Sequence, residues 1–110
     1  MKYDVLGTPY EVSFGVREQL NMTEDHMGEC RIYSKKILIC DEQGDCTEEE
    51  LDVRVSEIVA HEVFHAYLNE CGIEIDEDSE ELVANFFMKN WKKMNNTILE
   101  ILDENGYLTE

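Results

Sequence analysis

Thr47-Glu48-Glu49-Glu50-Leu51-Asp52-Val53-Arg54-Val55-Ser56-Glu57-Ile58-Val59-Ala60-His61-Glu62-Val63-Phe64-His65-Ala66-Tyr67-Leu68-Asn69-Glu70-Cys71-Gly72 is the stretch whose reading decides the fold. Thr47 and Glu50 form a capping-box pattern, in which each side chain satisfies a backbone N–H of the other. Leu51, Val55, Ile58, Val59 and Val63 recur at helical spacing and give one apolar stripe. Gly72 stands where a helix adopts its left-handed C-terminal cap. One long helix with a buried face follows.

Upstream, the pattern changes to that of strands. Lys2 to Leu6 and Tyr10 to Phe14 flank Gly7-Thr8, which reads as a hairpin turn. Pro9 falls at the start of the second strand, where a missing N–H is tolerated. Residues 16–22 read as a short helix. Cys30 to Tyr33 and Lys36 to Cys40 read as a second hairpin around Ser34-Lys35, and residues 41–46 as a polar loop. Downstream, Asp78-Ser79-Glu80-Glu81 starts a second long helix. Val83, Phe87, Trp91, Met94 and Ile98 carry its stripe, and it either continues through or breaks at Asn95-Asn96 before ending by Asn105-Gly106. Strands followed by helices predict an α+β fold: a small antiparallel or mixed sheet from the N-terminal half, packed against two main helices. The 110 residues suit one domain spanning 1–110.

The net charge is −17, from 26 acidic and 9 basic residues. Such a field repels phosphate backbones, so nucleic acid is not an expected partner, whereas cations and basic groups are attracted. No apolar run approaches the length of a membrane span, and the polar start Met1-Lys2-Tyr3-Asp4 does not read as a signal peptide. A cytoplasmic protein is expected. The four cysteines, at 30, 40, 46 and 71, include no C-x-x-C pair and so do not suggest a structural zinc finger. Reduced thiols are the default, with a bond between Cys30 and Cys40 left open if they lie on paired strands.

His61 and His65 are four residues apart on the helix and project from one face, within reach of a single zinc ion. Glu62 is rotated by about 100° around the axis, and its carboxylate faces a metal-activated water rather than the metal. This is the H-E-x-x-H arrangement, with Glu62 as general base. Catalytic zinc normally takes a third protein ligand. The metzincin pattern would need glycine at 68 and histidine at 71, where the chain has Leu68 and Cys71. Glu81 on the second helix is the favoured third ligand and Glu80 the alternative. Asn85, one turn beyond Glu81, is placed to orient a ligand histidine.

These residues resemble the gluzincin peptidases, in which H-E-x-x-H is followed on the next helix by E-x-x-A-N. Within that group the chain is similar to the ImmA/IrrE-type metallopeptidases of phages and mobile elements, and to small phage-encoded H-E-x-x-H proteins. The resemblance implies a zincin-like fold and hydrolysis of a protein or peptide substrate. It implies His61, His65 and Glu81 on Zn2+, Glu62 as base and Asn85 in support. It also implies that an extended peptide pairs with a strand edge, here within Lys36 to Cys40 or its hairpin partner. No helix-turn-helix segment accompanies the site. His26, Tyr33 and Tyr67 are the residues available to stabilise a transition state, and the sequence does not choose among them. Two readings compete with hydrolysis: a non-catalytic metal-binding or protein-binding module on the same scaffold, and an acidic decoy for a basic partner.

Overall fold

The computed structural model describes residues 1–22 and 26–107. It has the expected α+β composition: a four-stranded mixed sheet and two long helices. The elements are β1 (Lys2–Val5), β2 (Thr8–Gly15), α1 (Arg17–Leu20), β3 (Gly28–Arg31), β4 (Lys36–Cys40), α2 (Glu48–Cys71) and α3 (Glu77–Glu104). Among the described residues, no helix is long and apolar enough to cross a membrane.

The sheet order is β1-β2-β4-β3. β1 and β2 are antiparallel, β2 and β4 parallel, and β4 and β3 antiparallel. The central place of β4 follows from its composition. Ile37 and Ile39 join Val5, Tyr10 and Ala66 in the core on the α2 side. Leu38 and Cys40 point the other way and pack with Met22, Leu20 and Met27. A strand buried on both faces needs an unbroken apolar run, and Ile37-Leu38-Ile39-Cys40 supplies one. β4 is hydrogen-bonded on both sides and so, against the expectation that allowed it, offers no edge to an added strand. Its hairpin partner β3 is the edge strand.

Several boundaries move from the sequence reading, each for a local reason. The first turn is Leu6-Gly7, both at positive φ (50° and 91°), a two-residue turn whose twist suits a hairpin; it lies one residue earlier than expected. Pro9 pairs opposite Asp4, before β4 joins at Glu11, so its missing N–H takes no bond from that neighbour. β3 starts at Gly28 and stops at Arg31, because Ile32 to Lys35 form a four-residue turn with Lys35 at φ 57°. Cys30 and Cys40 project into clusters on opposite faces of the sheet, which rules out the bond left open between them; all four cysteines are free.

The α2 cap forms as read: the Glu50 N–H donates to Thr47 Oγ1 (3.1 Å) and the Thr47 N–H to Glu50 Oε1 (3.0 Å). Gly72 closes the helix at φ 74°. The α3 cap is Asp76, which accepts from the Ser79 N–H at 3.0 Å, rather than the Asp78-Ser79 pattern. The difference matters for the site, because it leaves the Glu80 and Glu81 carboxylates free of capping duty. α3 runs unbroken through Asn95-Asn96 to Glu104, with Asn105 as cap. It is tied to α2 by the Lys89–Glu57 ion pair (2.5 Å) and by Phe64 against Phe87 (5.5 Å between ring centres).

The C-terminal end of α2 is clasped to the sheet by Glu70. Its carboxylate accepts from Thr8 Oγ1 (2.8 Å), Tyr10 Oη (2.6 Å) and Lys35 Nζ (2.7 Å), joining both hairpins to one helix end. Lys35, Tyr10 and Thr8 hold this carboxyl down at about 2, against its ordinary value of 4.5. A depressed folded-state value means that the stabilisation is complete above pH 4.5 and is lost as pH falls toward 2. Glu70→Gln should therefore unfold at lower urea concentration than the parent at pH 7. The two midpoints should converge as the medium is acidified through that window.

Candidate metal centre

α2 lies across the sheet with Ala60, Glu62 and Ala66 buried. One step around its axis, His61 and His65 face the first turns of α3, where their side chains are only 14% and 12% exposed. Glu81 enters from α3. His61 Nε2 and His65 Nε2 are 3.1 Å apart, Glu81 Oε2 is 3.3 Å from His61 Nε2, and Glu81 Oε1 is 2.8 Å from His65 Nε2. Together they form a group of two imidazoles and one carboxylate able to hold a metal ion.

The donor set fits a dication of zinc's size. Zinc ligands at 2.0–2.1 Å in tetrahedral array stand about 3.3 Å from one another. The two imidazole nitrogens lie near that value, Glu81 meets each of them through a different carboxylate oxygen, and one donor atom from each residue can be chosen within 4.8 Å of the others. Burial pushes His61 below its ordinary pKa and the neighbouring His65 adds to the fall, while Glu81 and Asn85 oppose it. A neutral imidazole is the form that binds a metal.

Glu80 does not join this group. Its carboxylate contacts His65 Nδ1, on the far side of the ring from Glu81. A carboxylate there fixes the ring orientation and the tautomer that leaves Nε2 free to bind, the usual outer partner of a ligand histidine. The choice between Glu81 and Glu80 thus resolves into two positions on one imidazole. Asn85 lies beside His61 and is exposed, so its influence falls on that histidine, and Glu80 is the group that orients His65.

Glu62 is 7% exposed. Burial pushes its carboxyl up to about 7; His65 opposes the rise, and Glu81 and Glu29 add to it. It opens onto a cleft of about 1030 Å³ bounded by β3, α2 and the start of α3, which also contains His61, His65, Glu80, Glu81 and Asn85. His26 stands on the cleft wall. Tyr33 is 95% exposed in the β3–β4 turn and Tyr67 is 41% exposed on α2; neither lines the cleft. Cys71 is exposed at the end of α2 and lies outside the donor group.

One residue of the site escaped the sequence reading. Gly28, in edge strand β3, passes directly over Glu62. A Cβ placed there would come within 2.6 Å of Ile58 Cγ2 and 2.9 Å of both Cγ and Oε2 of Glu62. A glycine within a strand is the signal for such a close approach, but it was hidden because the strand was expected to begin at Cys30. Gly28→Ala should overpack this contact, costing about 1–3 kcal/mol. A urea titration of the variant would measure it, and an unchanged midpoint would show that Glu62 has room to move.

Comparison with family models, curated proteins and solved structures finds no match to this chain.

Proposed function

We propose that the protein is a zinc-dependent peptidase, with His61, His65 and Glu81 holding one zinc ion and Glu62 acting as general base. The observation that carries this reading is the convergence of two imidazoles and a carboxylate, with one donor atom from each within 4.8 Å of the others, beside a buried glutamate that opens onto the same cleft. Zinc, when bound, supplies the Lewis acidity that activates water and polarises a carbonyl. Glu62 accepts the proton of the water that attacks the peptide carbonyl carbon. It then delivers that proton to the departing amine nitrogen as the C–N bond breaks. Glu80 keeps His65 in its binding tautomer, and Gly28 leaves room for the Glu62 carboxylate.

The substrate is proposed to be a polypeptide in extended form. β3 pairs with β4 on one side and, among the described residues, pairs with no strand on its other side, beside the site, the arrangement that accepts an added strand. Glu74 and Glu77 on the cleft wall favour Lys or Arg side chains near the cleaved bond. This reading accords with the gluzincin resemblance in the order H-E-x-x-H, then glutamate on the next helix.

A mixture of random peptides, digested by the zinc-loaded protein and read by mass spectrometry, tests it. Cleavage products enriched in nearby Lys and Arg are expected; a chelator should abolish them and added zinc restore them. An uncleaved mixture at stoichiometric zinc would contradict the proposal.

A further inference from the structure

Lys35 stands where the backbone favours glycine. It closes the turn between β3 and β4 at φ 57°, a left-handed conformation in which a Cβ is crowded and glycine is the ordinary choice. The contacts of its side chain account for a lysine there. Lys35 Nζ lies 2.7 Å from Glu70 Oε2 and 5.5 Å from the centre of the Tyr10 ring, which is fully buried. The Lys35 carbonyl accepts from the Glu11 N–H at 2.9 Å. One residue is thus joined to β2 by its backbone and to α2 by its side chain.

This contact bears on the cleft through β3, which runs alongside α2 in the same direction. At the start of β3, Gly28 lies against Ile58 and Glu62. Past its end, Lys35 meets Glu70, about two helical turns beyond Glu62. Between these points Cys30 and Ile32 line the cleft, as do His65, Leu68 and Asn69 of α2. The Asn69 amide also donates to Glu70 Oε2 at 3.2 Å. β3 itself is four residues long and, among the described residues, pairs only with β4. Few backbone bonds resist its displacement, so its distance from α2 depends on what holds its ends. Gly28 limits how closely β3 approaches α2, and a contact of that kind cannot pull. The pull comes from the ion pair at the other end.

We infer that Lys35 and Glu70 are positioning residues of the cleft: their ion pair holds β3 and its turn against α2, and so presents the strand edge to a peptide at a fixed distance from the metal centre. The inference rests on the reading of the cleft as a peptide site. Neither side chain belongs to the donor group or lines the cleft, so the pair acts on peptide binding and not on zinc or on Glu62. An edge ordered in advance binds more tightly, because less conformational freedom is lost when the peptide is added.

Fluorescence anisotropy of a labelled, lysine-centred octapeptide tests this on zinc-loaded protein in which Glu62→Gln prevents turnover. Lys35→Gly removes the tie and gives the turn the residue its φ favours. It should raise the dissociation constant of the peptide about tenfold, the expected result of losing a pre-ordered edge, and leave zinc affinity unchanged. Lys35→Met, which keeps an apolar stem over Tyr10 without the charge, should match it. Lys35→Arg, which keeps the charge, should stay within about twofold of the parent. With Glu62 in place, the loss should appear in KM while kcat stays within about twofold. A peptide held as tightly after Lys35→Gly as before would overturn the inference, as would a Lys35→Arg variant that loses as much, or a fall in kcat at unchanged KM. A parent that binds the octapeptide without cleaving it, and loses it on Lys35→Gly, would refute hydrolysis and uphold the tie. A parent that does not bind it would overturn both.

Discussion

His65→Ala is expected to weaken zinc binding by more than about 100-fold, the upper end of the loss seen when only an outer partner of a ligand is removed. His65 makes two contributions. Its Nε2 is one of three donors, and its Nδ1 is held by Glu80, so the ring is fixed before any ion arrives. The substitution leaves His61 and Glu81 alone and removes the Glu80 contact as well. Zinc competition against a chromophoric chelator would measure the loss. Because the site lies on a half-buried helix face rather than in the core, helix content should change little. Retention of parent affinity would mean that the ion is held elsewhere.

Glu62→Gln should separate binding from turnover. The amide keeps the volume beneath Gly28 but cannot take a proton. General-base assistance is typically worth 10²–10⁴ in rate, so hydrolysis should fall by about 10³-fold while zinc stoichiometry stays at the parent value. The same variant distinguishes the competing reading of the fold, a binding module with a structural metal. If a host function depends on His65 and survives Glu62→Gln, hydrolysis is not that function.

Much of this arrangement was legible because it is local. The α2 cap, its stripe and the His61–His65 spacing all lie within one helix, where periodicity fixes which side chains share a face. The apolar run Ile37-Leu38-Ile39-Cys40 reads only as a strand of the second hairpin; its burial on both faces emerges from the structure. What the residues did not reveal depends on distant partners. The parallel pairing of β2 with β4, which makes β3 the edge, brings together segments separated by the α1 crossover, and no local pattern encodes it. The same placement carries Gly28 over Glu62. The capping of α3 was misread by two residues because Asp76 and Asp78 are both competent caps; tertiary position selected the first and released Glu80 to His65. The apolar stripe of α3 is legible from helical spacing, yet among the described residues its positions from Trp91 onward are exposed, since periodicity shows that a face is apolar and not what meets it.

The central claim is that one zinc ion sits among His61, His65 and Glu81 with a position left open toward Glu62. Anomalous diffraction at the zinc edge, from crystals of the zinc-loaded protein, tests it most directly. The account predicts a single strong peak about 2.0–2.2 Å from Nε2 of both histidines and from the Glu81 carboxylate, with no fourth protein ligand. A peak bound by Glu80 in place of Glu81, a fourth side chain closing the site, or no peak at this position would contradict it.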